Sequence, residues 1–163
     1  MSELMTIALG VVFVGIGGTG VMDAWAILQK QIFGVPSLDY RLVGRWIGHY
    51  PNGCFKHDSI AMADEVQSEV VLGWVAHYLI GIAFAILLLL IWPEWLRHPT
   101  LSPALGIGSV VAPFLVLQPS FGAGIAAYRT PEPWLVRFRS LVAHTSFAAG
   151  LYFSGMLFSF ALA

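Results

Sequence analysis

The stretch LGVVFVGIGGTGVMDAWAIL (Leu9–Leu28) decides the fold, because its glycines allow two incompatible interpretations. GIGGTG (Gly15–Gly20) fits the G-x-G-x-x-G pattern of dinucleotide-binding turns, and Asp39 follows at about the 20-residue distance expected of a ribose-binding acid. Such a turn needs a strand of about five or six residues before it and a helix after it. Here the apolar run begins at Leu4 and continues through the glycines without a break. We therefore predict one long membrane helix and no dinucleotide site.

Glycines have a different use in a membrane helix, because they let a neighbouring helix approach closely and gain dispersion contacts. The residues that we expect to form such a packing groove on the first helix are Gly10, Gly17 and Gly20.

The composition is that of a membrane protein. Of the 163 residues, 58% are hydrophobic and 10% are charged, whereas about 25% of the residues in a typical soluble domain are charged. With the exception of Asp23, the charged residues avoid four apolar stretches: residues 4–28, 70–92, 101–117 and 141–162. An apolar helix of about 20 residues crosses the hydrocarbon layer of a bilayer. We predict an all-α fold, a polytopic transmembrane four-helix bundle that forms a single membrane domain over residues 1–163.

Two features of these spans stay open. The third span contains Pro113, and Pro119 follows soon after, so this span either ends near residue 117 or continues as a kinked helix as far as 127. A duplicated helical hairpin, which would be a parallel repeat, is one explanation of two short matches in the same order, and chance among apolar residues is the other. The matches are VAH at 75–77 and 142–144, and GIG at 15–17 and 106–108.

The distribution of Lys and Arg predicts the orientation in the membrane. The polar loop 29–69 carries four of these residues and the loop 119–140 carries three, whereas the loop 93–100 carries one. By the positive-inside rule, the loops 29–69 and 119–140 lie in the cytoplasm and both termini lie outside. In a bacterium this predicts a multi-pass protein of the inner membrane with periplasmic termini and the lipid bilayer as its surroundings.

The remaining composition argues against several classes of function. The net charge of −1 and the lack of a basic stripe argue against a nucleic-acid partner. The single cysteine, Cys54, excludes an internal disulfide and provides no CxxC metal motif. The N-terminus lacks the positive region of a secretory signal, so we expect the first apolar run to be retained as a span.

Three ionisable side chains, Asp23, His77 and His144, lie inside the apolar spans. Counted from the predicted cytoplasmic end of each span, they lie at depths of roughly 8, 10 and 5 Å, and Gln118 falls at a similar level. A carboxylate in the bilayer should face a partner or water, and one Asp with two His is a ligand set for a divalent metal. A proton relay, a ligand pocket and a purely structural interhelical hydrogen bond are the alternatives.

The cytoplasmic loops provide further candidates for a ligand pocket. Arg45 and His49 are four residues apart and share a face if RLVGRWIGHY is helical. The segment Phe55–Ser59, with His57, Asp58 and a hydroxyl, resembles a nucleophile-and-base arrangement, but neighbouring loop residues lack the scaffold that triad chemistry needs. We expect a solvated loop, and the alternative is that His49 and His57 cover the cytoplasmic mouth of the buried layer. Arg129, like Arg137 and Arg139, either contacts anionic lipid or orients the fourth helix, and the sequence favours the second interpretation. The predicted pocket residues are Gln118, Arg45, His49, His57, Asp58 and Arg129.

Six motifs follow one another along nearly the whole chain: PSLDYRLVGRWIGH (Pro36–His49), KHDSI (Lys56–Ile60), GWVAHYLIG (Gly73–Gly81), APFLVLQP (Ala112–Pro119), AAYRTP (Ala126–Pro131) and RSLVAHT (Arg139–Thr145). Together they resemble a family of small bacterial inner-membrane proteins known only as a domain of unknown function. The resemblance implies a four-helix inner-membrane protein of bacterial origin. It brings no activity with it and therefore assigns no catalytic or binding residue.

These patterns favour a small membrane protein that binds or transports a proton-linked or metal-linked solute through Asp23, His77 and His144. The cofactor is unknown, and a divalent metal is the candidate. A non-enzymatic subunit of a larger complex is the alternative, with the glycine face docking a second copy or another membrane protein. An enzyme acting on lipid head groups is the third hypothesis, and the sequence favours it least.

Overall fold

The computed structural model describes residues 2–108 and 113–162, and within these ranges the chain is helical without any strand. Short 3-10 turns occur at Tyr50–Asn52, Ile60–Met62 and Ile125–Ala127, and a π-helical segment spans Pro113–Leu117. The α-helices are α1 (Glu3–Phe33), α2 (Tyr40–Gly48), α3 (Glu69–Ile91), α4 (Leu101–Gly108), α5 (Gln118–Ser120) and α6 (Pro133–Leu162).

Four helical segments are long and apolar enough to cross a membrane. They are Glu3–Phe33, Glu69–Ile91, Leu101–Ser120 and Pro133–Leu162, the third of which includes residues 109–112 outside the described ranges. This confirms the predicted all-α class and its four apolar helices. GIGGTG lies inside α1, with helix on both sides of it, and not at a turn between a strand and a helix.

Two helices extend beyond their predicted apolar stretches. α1 continues past Leu28 to Phe33 and ends where Gly34 adopts the left-handed conformation, with φ 65°. α6 begins at Pro133 and not at residue 141, because proline is favoured in the first helical turn. The arginines before residue 141 end the apolar run but do not end the helix.

The third span does not continue as regular helix to residue 127. After the π-helical segment Pro113–Leu117, α5 ends at Ser120. Gly124 follows at φ 76° and Ala126 at φ 50°, both in the left-handed region, which an α-helix of L-residues does not use.

The chain forms two compact units, and α3 and α6 contribute residues to both. The first unit consists of Met1–Ser37, Tyr78–Ser109 and Ala143–Ala163. Its core is apolar and consists of Val14, Ala85, Leu88, Trp95, Leu96, Ala104, Phe147 and Leu151. The single membrane domain and the parallel repeat expected from the sequence stay predictions.

Glycines bring the backbones of the first unit together. A Cβ on Gly15 would lie 2.5 Å from Cα of Ile82 on α3, and a Cβ on Gly150 of α6 would lie 2.9 Å from Cα of Gly18. α1 therefore packs closely against both α3 and α6 within this unit.

The three glycines predicted to form a packing groove have different surroundings. A Cβ on Gly10 would meet the side chains of Leu96 and Phe158, and one on Gly17 would meet the side chain of Ser154. A Cβ on Gly20 would meet nothing within 4 Å in the described part of the chain. Within this unit, Gly10 and Gly17 therefore face neighbours and Gly20 faces open space.

Candidate metal centre

The second unit consists of Leu38–His77 and Val110–Val142, and α2 lies within it. Asp39 caps the start of α2 by accepting a hydrogen bond from the backbone N–H of Arg41 at 3.0 Å. His49 lies at the other end, directly after the last helical residue. The amphipathic sequence YRLVGRWIG thus forms a short helix and presents an imidazole at its C-terminal end.

α2 lies directly on the first turns of α3. A Cβ on Gly44 would collide with the backbone carbonyl of Glu69, and a Cβ on Gly73 would collide with that of Tyr40. Only glycine permits this approach of two helix backbones, so the pair Gly44 and Gly73 fixes α2 against α3.

A buried ion pair holds the same two helices together. Arg45 Nε donates to Glu69 Oε2 at 2.8 Å, and Arg45 NH2 donates to Glu69 Oε1 at 2.9 Å. Arg45 NH1 donates to the carbonyl of Ala63 at 3.0 Å. Arg45 and Glu69 are buried, and the guanidinium is satisfied by the pair and the carbonyl. Arg45, a predicted pocket residue, thus has a structural role in joining α2 to α3.

A tight turn after α2 brings Cys54 back to His49. The turn contains Pro51, and Gly53 adopts the left-handed conformation with φ 72°. As a result the backbone N–H of Cys54 donates to the carbonyl of His49 at 3.3 Å.

Three donor atoms meet in this region, one each from His49, Cys54 and His57. His57 Nε2 lies 3.2 Å from His49 Nδ1 and 3.5 Å from Cys54 Sγ. All three ligand atoms lie within 4.8 Å of one another, and no other group of His, Cys, Asp or Glu with such spacing occurs in residues 2–108 and 113–162. Imidazole nitrogen and thiolate sulfur are the preferred ligands of zinc and copper.

The hydrogen bonds around His49 favour the tautomer that binds a metal. Its Nε2 lies 3.0 Å from the carbonyl oxygen of Asp64, which can only accept a hydrogen bond. Nε2 therefore carries the proton, and the lone pair of Nδ1 points towards His57. Metal-binding histidines commonly donate their other ring N–H to a carbonyl in this way.

Backbone hydrogen bonds hold the segment that carries His57. The backbone N–H of His57 donates to the carbonyl of Ser120 at 2.9 Å, and the backbone N–H of Ile60 donates to the carbonyl of Phe121 at 3.2 Å. Burial lowers the pKa of His57, the neighbouring His49 lowers it further, and hydrogen bonding at Ser120 acts in the opposite direction. The neutral imidazole, which is the form that binds metals, is therefore favoured.

Aromatic side chains surround this segment. Trp46 donates from Nε1 to the carbonyl of Phe55 at 2.8 Å and lies edge-on to Tyr50, with ring centroids 5.1 Å apart. Phe121 packs on the same indole with a centroid distance of 6.0 Å. Asp58, a predicted pocket residue, has a side chain that is exposed. Its backbone carbonyl packs against Gly122.

The polar residues predicted inside the spans have partners in each unit. In the first unit, Tyr78 Oη donates to Asp23 Oδ2 at 3.0 Å. In the second unit, His77 stacks on Tyr40 with ring centroids 4.1 Å apart. Asp23 and His144 belong to the first unit and His77 to the second, so a common site of these three residues stays a prediction.

The other two predicted pocket residues lie outside the cluster. Gln118 is buried and donates from Nε2 to Ser140 Oγ at 3.1 Å, and its Oε1 has no hydrogen-bond partner in the described residues. Arg129 Nε donates to Tyr128 Oη at 2.8 Å. Their role in a pocket stays a prediction.

The structure thus brings together two of the predicted pocket residues, His49 and His57, and adds Cys54. Sequence reasoning missed Cys54 because it searched for paired cysteines. The spacing H-x4-C-x2-H across a Pro-Asn-Gly turn is the signal that would have indicated the site.

Comparison with known proteins gives one match. No curated protein and no solved structure matches the chain. A family model matches residues 12–158, a range that includes all three residues of the candidate metal centre, and it confirms the resemblance to a family of unknown function. The chain therefore belongs to the family described as "Protein of unknown function (DUF2938)".

Proposed function

We propose that this chain is a small multi-pass membrane protein that binds one transition-metal ion through His49, Cys54 and His57. The observation that carries the proposal is the convergence of two imidazole nitrogens and one sulfur within 4.8 Å. The prediction of a metal-linked function is thereby moved to the loop after α2, where the donor atoms are already close.

The distances between the donors fit an ion. With metal–nitrogen bonds of about 2.0 Å and a metal–sulfur bond of about 2.3 Å, angles between tetrahedral and trigonal give nitrogen–nitrogen separations of about 3.3–3.5 Å and nitrogen–sulfur separations of about 3.5–3.7 Å. The observed separations from His57 Nε2 are 3.2 Å to His49 Nδ1 and 3.5 Å to Cys54 Sγ. Two of the three donor separations therefore already suit an ion, and the third, between His49 and Cys54, does not exceed 4.8 Å.

The surface of the helices supports residence in a membrane. In the most apolar window of each candidate span, between 17% and 33% of the window is buried inside the chain. Large apolar side chains such as Leu90, Phe153 and Phe160 are exposed. Such a surface requires an apolar solvent, because water would penalise its exposure.

The charge distribution supports the bacterial inner membrane with both termini in the periplasm. The loops 29–69 and 119–140 carry seven of the eight Lys and Arg residues, which favours their location in the cytoplasm. The metal centre then faces the cytoplasm, from which it would take its ion.

Metal analysis of the protein purified in detergent tests this function. After dialysis against Zn2+ or, under reducing conditions, Cu+, we expect one ion per chain by mass spectrometry of the eluted metal. Cys54→Ser and His57→Ala should lose this ion, because each removes a ligand. His98→Ala, which removes an exposed histidine in the loop after α3, should retain it. Binding of neither ion at unit stoichiometry, or equal uptake by all variants, would refute the proposal.

A second candidate function, proton coupling at Asp23, is favoured by the hydrogen bond from Tyr78. A carboxyl group within an apolar span is a typical site for proton uptake and release. Infrared difference spectra recorded between two pH values should show a carboxylic acid band that is lost in Asp23→Asn and shifted in Tyr78→Phe. Spectra of Asp23→Asn identical to those of the unmodified protein would exclude this role.

A further inference from the structure

The number of ligands in the centre distinguishes between metals. Among the described residues, the group formed by His49, Cys54 and His57 contains no fourth His, Cys or carboxylate ligand. Structural zinc sites in proteins almost always have four protein ligands, whereas two histidines and one cysteine in a trigonal arrangement are typical of copper. Three protein ligands therefore provide a full set for a three-coordinate ion, whereas a zinc ion here would need water as its fourth ligand.

The charge of the ligands points in the same direction. Two neutral imidazoles and one thiolate carry a single negative charge, which a monovalent ion cancels and a divalent ion exceeds. His49 and Cys54 are partly buried, Trp46, Tyr50 and Phe55 surround the turn, and no carboxylate belongs to the group. Because burial of a net charge is costly, the electrically neutral complex is favoured.

The chemical softness of the sulfur adds to this preference. Thiolate is a soft ligand that suits the soft ion Cu(I) better than the borderline ion Zn(II), whereas imidazole binds both metals. On these grounds we propose that the centre is specific for Cu(I) over Zn(II). This inference rests on the metal-binding function proposed above and names the ion that it serves.

Binding requires no change of oxidation state. The Cys54 thiol loses its proton to the solvent and its sulfur forms a bond to Cu(I), while His49 Nδ1 donates its lone pair to the ion. His57 moves its ring proton from Nε2, where it bonds to His49, to Nδ1, and its Nε2 then donates its lone pair to the same ion. The net exchange is one Cu(I) taken up and one proton released. The copper enters as Cu(I) and stays Cu(I).

Competition titrations of the detergent-purified protein test this selectivity. Under anaerobic conditions, Cu(I) is supplied as a coloured complex with a bidentate chelator, and transfer to the protein is followed by loss of the absorbance of the complex. We expect transfer of one Cu(I) per chain, and a tenfold excess of Zn(II) should leave the bound copper in place. Copper X-ray absorption should show one sulfur and two nitrogen ligands.

Two variants show whether the ion occupies this centre. Cys54→Ser should weaken Cu(I) binding by more than about 100-fold, which exceeds the roughly 10–100-fold typical when only the hydrogen-bond partner of a ligand is removed. His98→Ala is the matched control and should bind Cu(I) like the unmodified protein.

The outcomes separate this inference from the proposed function. Displacement of Cu(I) by equimolar Zn(II), with Zn(II) lost in Cys54→Ser, would overturn the copper preference and leave the metal-binding function standing. Failure of both ions to bind would overturn both proposals. Equally tight Cu(I) binding in Cys54→Ser would place the copper elsewhere and overturn the inference.

Discussion

Arg45 and Glu69 form a two-point ion pair in which both side chains are buried, with Nε–Oε2 and NH2–Oε1 distances of 2.8 and 2.9 Å. The pair joins α2 to the first turn of α3 and thereby fixes the helix whose end carries His49. Removal of one partner leaves the other charge buried without compensation, which typically costs about 3–5 kcal/mol.

We therefore expect Glu69→Gln to lower the free energy of unfolding by about 3 kcal/mol, measured by denaturant titration in micelles with tryptophan fluorescence. The double variant Arg45→Met/Glu69→Leu should be more stable than either single variant, because it leaves no unpaired charge. Glu65→Gln is the control, since Glu65 also pairs with Arg45 but its side chain is 81% exposed, and its loss should have little effect. A double variant that is the least stable of the set would contradict this account.

Gly44 and Gly20 test the close packing of α2 on α3. Both glycines are helical, but only Gly44 lies against another backbone. A methyl group at Gly44 collides with the backbone of Glu69, whereas one at Gly20 meets nothing within 4 Å in the described residues. We expect Gly44→Ala to cost about 1–3 kcal/mol, as overpacking does, and Gly20→Ala to be neutral or slightly stabilising. Equilibrium unfolding of both variants measures the difference, and equal losses would refute it.

Gly20 also tests the alternative function, in which the glycine face of α1 docks another chain. Gly20→Leu should leave the unfolding of the isolated chain unchanged. If a second copy or another membrane protein occupies this face, Gly20→Leu should also reduce the mass of the complex extracted from membranes, as measured by light scattering. An unchanged mass would exclude docking at Gly20.

The apolar helices could be predicted from the sequence because the bilayer imposes a local requirement. Each span needs about 20 apolar residues in succession, and a run such as that around GIGGTG shows this directly. The start of α6 at Pro133 was missed because an apolar run marks only the part of a helix that lies in the hydrocarbon layer, and the helix itself can begin earlier. Arg137 and Arg139 lie within the helix although they lie outside the apolar stretch.

The metal centre could be predicted only in part, because it depends on tertiary structure. His49 and His57 were recognised as candidates, but their approach requires the turn at Pro51–Gly53 and the hydrogen bond from His57 to Ser120, which lies far away in the sequence. A lone cysteine forms no recognisable sequence motif. Only the folded structure, in which the sulfur of Cys54 lies 3.5 Å from the His57 imidazole, identifies it as a candidate ligand.

The pH dependence of stability should reveal the cap of α2. The side chain of Arg41 hydrogen-bonds to Asp39 and lowers the pKa of this carboxyl group. The ionised Asp39 therefore contributes its full stabilisation above the ordinary aspartate pKa of about 3.9. This stabilisation is lost as the pH falls through the lower pKa that Asp39 has in the folded protein. Melting temperatures of the unmodified protein and Asp39→Asn should differ at pH 6 and converge towards pH 3.

Asp39→Ala completes that comparison. Asparagine still accepts the hydrogen bond at the helix N-terminus, so Asp39→Asn removes mainly the charge, whereas alanine also removes the cap, at a cost of about 1 kcal/mol. We expect Asp39→Ala to be less stable than Asp39→Asn at both pH values. A difference between the unmodified protein and Asp39→Asn that grows as the pH falls would contradict the assignment.

The single cysteine makes the predicted orientation directly measurable. Cys54 lies in the loop 29–69, which the positive-inside rule assigns to the cytoplasm. In spheroplasts, a membrane-permeant maleimide should therefore label Cys54, and a charged, impermeant maleimide should label it only after lysis. Cys54→Ser/Ser2→Cys is the matched control, because its only cysteine lies at the exposed N-terminus and should react with the impermeant reagent in intact spheroplasts. Labelling of Cys54 from outside would reverse the topology and place the metal centre on the periplasmic side.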